Sequence, residues 1–465
     1  MKNYHPAISA LMLLAFATSA FAAPPAASVD PAKLVAEREQ TELAHDQYGK
    51  IFEYYMEVCG VTRWMPKKGE AGGEFGHTVM HLKGACRDES VSYPKLKMCG
   101  PEGGEVSISM DSDYGNVQWT AVSDRKFMMY GNLAADAPLT DKEHEEAINE
   151  AVRQRIFRNV KLHAYHNALI KKGESYEHMV ARWSIGTNFA VNFARSSYCT
   201  RIPLIPSKGP KNAMVKSLVD HFNALNRKAL EDGFGYNGIT NNCTHLAHNG
   251  LSSVGFWPAK DVGWQEPAGL GWLGSHVKEN VSVPFNTMHD ALMRGLGDEN
   301  TFNPSRLSDA EAERKGFYKF RWIGAQPGVT MEVIPVHSYK NEKYATNTTP
   351  YLLDTSTELK NRLGMGDGKN EAQAMWARNI KDIRVLDLKA NFKYWQKKYA
   401  NDSRTSFPAS SGWGGNSYPD LAPALSSYLR SQQADLANRM KLLDQVLAAP
   451  AEAAPDASPA AASAR

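Results

Sequence analysis

The sequence predicts an α+β fold in which an antiparallel sheet packs on helices. Two observations carry this expectation. Short apolar runs bounded by Gly, Asp and Ser recur at Thr78 to Leu82, Val106 to Met110, Val117 to Val122 and Lys126 to Tyr130, as strands do. Longer stretches with apolar residues three and four apart lie around them, the clearest at Met214 to Leu230 and Ala424 to Leu447.

Taken in order, the chain opens with Lys2, an apolar core from Ile8 to Ala17 and the small-residue close Ala20-Phe21-Ala22. This pattern reads as a secretory signal peptide over residues 1–22, which makes a periplasmic or secreted product the expectation. No cysteine follows the cleavage point, so a lipid anchor is not expected. Residues 23–50 form an Ala/Pro tether and then a helix whose pattern runs from about Lys33 to Glu57. Residues 51–300 are expected to form the core, 301–447 an α/β C-terminal extension, and 448–465 a disordered Ala/Pro tail.

Within the core, Thr140-Asp141-Lys142-Glu143 has the form of a capping box, and periodic apolar residues carry that helix to about Leu169 as a long insertion. Asn188 to Arg201 is read as a strand. The loop from Gly233 to Thr240 delivers the chain to a helix starting near Cys243. Beyond it, Phe317 to Trp322 and Val329 to Val336 are strand-like and Glu371 to Ile380 is helical; packing or partner binding is the expected role of this last third.

A chain of 465 residues, 43% hydrophobic and 22% charged, has the composition and length of a globular protein with a sizeable core. A net charge of +3 with scattered basic residues gives no electrostatic footprint for nucleic acid. No segment after the signal offers the 18 or so apolar residues of a membrane helix, so a soluble mature chain is expected. Five cysteines, Cys59, Cys86, Cys99, Cys199 and Cys243, leave one over if an oxidising compartment pairs the rest. The four others allow three connectivities, and the sequence does not choose among them.

Cys243 is the candidate for the odd thiol. With Leu246, Ala247, Gly250, Leu251 and Val254 it lies on one helical face, pointing inward from the first turn, where helix amides and dipole favour a thiolate and lower the thiol pKa. The candidate base is His77 in Gly72-Gly-Glu-Phe-Gly76-His77-Thr-Val-Met-His81-Leu-Lys-Gly84, a glycine-flanked strand that begins with a histidine.

The start Phe75-Gly76-His77-Thr78, followed far downstream by Asn242-Cys243-Thr244 opening a helix, resembles the circularly permuted branch of the NlpC/P60 papain-like superfamily, which includes lecithin-retinol-acyltransferase-like proteins and the bacterial DUF4105 family. In that branch the histidine precedes the cysteine, as here. The resemblance implies a permuted papain-like core, with Cys243 as nucleophile, His77 as general base and the Cys243 amide in an oxyanion hole. It also implies a third polar group beside the histidine strand, for which Asp88, Glu89, Asp111 and Asn116 all stand as candidates.

Other signals read as structural. His245 and His248 lie about 200° and about 140° around the helix from Cys243, so they do not converge with it on a metal. His163 and His166 read as a solvated helix face, the glycines of Gly364 to Gly368 as a turn, and Gly412 to Ser417 as a loop. No cofactor and no metal are expected. The expected function is that of an exported thiol hydrolase or acyltransferase acting on an amide or ester, with a peptidoglycan peptide ahead of a lipid as cell-envelope substrate. The rival is a non-catalytic envelope-binding module keeping the papain-like shell.

Overall fold

The computed structural model describes residues 31–61, 77–134, 140–187, 197–206, 209–237, 241–257, 284–297, 325–334, 381–402 and 421–449. The signal, the tail beyond residue 449, the first part (188–196) of the strand reading at Asn188 to Arg201, and the readings at Phe317 to Trp322, Gly364 to Gly368, Glu371 to Ile380 and Gly412 to Ser417 lie outside the described residues. The described part is α+β.

Its centre is a six-stranded sheet in which every pairing is antiparallel. β1 (Tyr55–Val61) lies between β2 (His77–Lys83) and β7 (Ser197–Pro203). Outside β2 come β5 (Glu105–Ser109) and β6 (Thr120–Val122), and outside β7 comes β8 (Thr330–Ile334). A separate hairpin, β3 (Ala85–Arg87) with β4 (Leu96–Met98), leaves the end of β2 through Gly84. That turn needs glycine: φ is +98°, and a Cβ would stand 2.5 Å from the Tyr54 ring.

Both faces of the sheet are covered, and the period of two sorts their chemistry. Met56 and Val58, Met80 and Leu82, and Val106 and Ile108 share one face, on which α6 (Cys243–Ser253) and α7 (Pro284–Leu296) pack. The Thr200 hydroxyl donates from this face to the Met288 carbonyl at 2.8 Å. The other face is polar although buried: Glu57, His81, Ser107, Ser109, Arg201 and Glu332 stand on it, beside the Cys59–Cys199 disulfide. It is covered by α1 (Pro31–Ile51) and by Arg125 from α2 (Arg125–Tyr130).

Buried charge survives there because it is paired. Arg125 Nε donates to Glu57 at 3.1 Å and Arg125 Nη2 to Glu332 at 2.6 Å. Arg201 Nε donates to Glu57 at 2.9 Å and Arg201 also bonds Glu332. Two carboxylates and two guanidinium groups thus close a neutral ring that ties α2, β1, β7 and β8 together.

Several sequence expectations change at their edges. The first helix ends at Ile51 rather than near Glu57, because Tyr55, Glu57 and Cys59 alternate with Met56 and Val58 on the two faces of a strand paired on both sides. Lys126 to Tyr130 is helix, not strand: Asp124 accepts from the amides of Lys126 and Phe127 at 2.8 and 3.1 Å, and Gly131 closes the turn in the left-handed region. The helix after Thr140, α3 (Asp141–Arg153), stops well short of Leu169. Arg155 and Asn159 follow it with φ of 54° and 56°, and a 3₁₀ turn occupies Ala164–Leu169. Thr140 precedes α3, but its hydroxyl bonds the Glu143 carboxylate and makes no bond to a helix amide, so the capping box is incomplete. His166 is buried against Trp183 and beside Asp113 rather than on a solvated face.

The remaining helices are α4 (Tyr176–Thr187), α5 (Ala213–Asp232), the short α8 (Ile383–Leu386), α9 (Leu388–Asp402) and α10 (Leu421–Ala448). α9 and α10 pack on each other, and α10 packs on α1, around Tyr48, Phe52, Phe392, Trp395, Leu436 and Leu443. The last third is therefore structural to the sheet: it supplies β8 and with it Glu332. Among the described residues, no helix is long and apolar enough to cross a membrane.

Candidate active site

Asn242 starts α6. Its side-chain oxygen accepts from the amides of Thr244 and His245 at 2.9 and 3.1 Å, and the His245 ring reaches back to the Asn242 amide at 3.3 Å, completing a capping box. The cap occupies the second and third amides of the helix and leaves the Cys243 amide to other partners. His245 is thereby spent on the helix end, and burial pushes its imidazole down to about 4. His248 stacks on Trp257 with ring centres 4.3 Å apart. Gly250 lets the helix approach α5, since a Cβ there would stand 2.9 Å from the Phe222 ring.

The cysteines pair as Cys59–Cys199 and Cys86–Cys99, and Cys243 is the free thiol. It is 7% exposed, at the first position of α6, where that helix meets β2. The hydroxyls of Thr78 and Thr244 lie 3.3 Å apart, so the residue after His77 touches the residue after Cys243. The sulfur itself has hydrogen bonds from the backbone and side chain of Thr78 and from Thr244.

These bonds favour the thiolate, yet burial outweighs them and pushes the thiol above its ordinary value. The sequence expectation of a lowered pKa is overturned here, because it counted the helix end and not the desolvation. Burial thus favours the thiol over the thiolate at this position.

His77 opens β2, buried, with Nε2 2.8 Å from the Ser109 hydroxyl on β5. Ser109 is the polar group that orients the ring, and it was not among the candidates. Three of those candidates are engaged elsewhere. Asp88 accepts from the Ser90 amide and hydroxyl and pairs with Lys95, Glu89 pairs with Arg87, and Asn116 bonds the backbone of Asn159 and Lys161. Asp111 lies two residues beyond Ser109, buried, where it accepts from the Asp113 amide at 2.9 Å.

Tyr236, on the loop before α6, was also missed. Burial, then the negative charge of Cys243, Asp111 and Asp113, push its phenol well above the ordinary value. Its signal in sequence was only its place in the Gly233 to Thr240 loop.

Comparison with known proteins adds no assignment: no family model matches the chain, and no significant match is found among curated proteins or solved structures.

Proposed function

We propose that the protein is an exported thiol hydrolase or acyltransferase with Cys243 as nucleophile and His77 as base, built on a permuted papain-like core. The observation that carries this reading is the contact of the two element starts: Thr78, next to His77, meets Thr244, next to the free Cys243, while the His77 ring itself stands on the opposite face of β2, so the base must turn round the strand start to reach the thiol. Two disulfides fit export to an oxidising compartment, periplasmic or extracellular.

In the reaction, the Cys243 proton passes to His77 as sulfur bonds the substrate carbonyl carbon. The Cys243 amide holds the oxyanion, and His77 returns the proton to the departing amine or alcohol, leaving a thioester. Water, or another acceptor, gives its proton to His77, attacks the thioester and frees the thiol. His77 Nε2 is held at 2.8 Å by the Ser109 hydroxyl. A peptidoglycan peptide is the first-choice substrate and a lipid ester the second, an order that rests on export and on the family resemblance.

Full-length protein incubated with peptidoglycan fragments or with phospholipid vesicles, then quenched in acid, tests this by mass spectrometry. An acyl mass on the Cys243 peptide, absent in Cys243→Ala, is expected with one of the two. Absence of both adduct and product would favour the second reading, an envelope-binding module, which the burial of the thiol supports.

A further inference from the structure

His77 is not the only histidine of β2 held by a serine. Four residues on, His81 is fully buried on the same polar face, with Nδ1 3.0 Å from the Ser107 hydroxyl. Its Nε2 lies 3.0 Å from Glu105 Oε2, at the start of β5. From α1, His45 Nε2 comes within 3.6 Å of the same oxygen. These three donors, from a helix and two strands, all lie within 4.8 Å of one another.

A tetrahedral zinc with ligands at about 2.1 Å holds them about 3.4 Å apart, so one ion fits among these atoms with small side-chain shifts. The outward nitrogens match that arrangement. His45 Nδ1 lies 3.4 Å from Glu57 Oε1 and His81 Nδ1 faces Ser107, which keeps both Nε2 atoms directed at the centre.

The charge ledger agrees. Glu57 and Glu332 are answered by Arg125 and Arg201, whereas the ion-pair partners of Glu105 are the two imidazoles, with Lys83 opposite it in register. The Tyr55 hydroxyl, 3.0 Å from His45 Nε2, stands at the fourth position, and Glu105, 30% exposed, gives solvent a way in.

We infer that His45, His81 and Glu105 form a binding site for a divalent transition-metal ion, with zinc as the ion that best suits two imidazoles and a carboxylate. This departs from the sequence expectation of no metal, which weighed only histidines close together in sequence. The site is separate from the thiol and does not depend on its chemistry.

The test uses the full chain carrying Cys243→Ser, so that sulfur cannot contribute a ligand. Chelator-stripped protein is titrated with Zn²⁺ by calorimetry and with Co²⁺ by visible absorption. One equivalent of Zn²⁺ and the strong visible bands of low-coordinate Co²⁺ are expected. Glu105→Gln, which keeps the size of a partly exposed side chain, and His45→Gln should each weaken binding about 100-fold or more while the circular dichroism stays native. Failure to bind one equivalent, or binding that survives in both folded variants, overturns the inference.

Discussion

The two histidines of β2 make a natural comparison. His77 and His81 stand on the same face about 13 Å apart, and each is oriented by a serine from β5, Ser109 or Ser107. What differs is the company. At the start of the strand the adjoining residue, Thr78, reaches over the opposite face to Thr244 beside the buried Cys243 thiol. Four residues on, the second group is a carboxylate with another imidazole beside the ring of ion pairs, suited to holding a cation. The two serine-fixed histidines keep different company: α1 covers the His81 end of the polar face, whereas α6 packs on the opposite face and meets the His77 end only through Thr78.

The Cys59–Cys199 disulfide lies between these two ends, because Cys59 is directly opposite Val79. It spans 140 residues, against 13 for Cys86–Cys99. On loop-closure entropy, replacing Cys59 and Cys199 with Ala should cost about 5 kcal/mol and replacing Cys86 and Cys99 about 3 kcal/mol, read from urea unfolding. The first pair of changes should also disturb both histidine sites, the second neither. Equal costs would show that β1 and β7 are held by the sheet alone.

Exchanging the orienting groups separates the sites with a smaller effect. Ser109→Ala should slow alkylation of Cys243 about tenfold and leave Zn²⁺ affinity unchanged, while Ser107→Ala should weaken Zn²⁺ binding about tenfold and leave the thiol unchanged. A crossed effect from either variant would mean that the two ends do not act separately.

Much of this arrangement was legible in the residues. The strand at His77, the helix opening at Cys243 and the odd thiol were read from spacing and count, and the structure pairs the other four cysteines. The polar face was not legible. Glu57, Arg125, Arg201 and Glu332 come from four distant segments, and in a strand a buried ion pair reads as a surface charge until register puts its partner opposite. Ser109 was missed for the same reason, since its role depends on the pairing of β5 with β2. The helix at Arg125 was missed because six residues are too few for periodicity, although Asp124 and Gly131 marked its ends. The thiol pKa went the wrong way because desolvation depends on what packs around Cys243, and no local pattern records that.

The most direct test of the central claim is the pH dependence of Cys243 alkylation in native protein, wild type against His77→Ala. A neutral thiol worked by His77 should react measurably near pH 7, and the variant should lose at least about tenfold of that rate and react only above the ordinary cysteine range, where burial places the thiol. Identical profiles in the two proteins, or a Cys243 that reacts only after unfolding, would contradict the assignment of His77 and Cys243 as base and nucleophile.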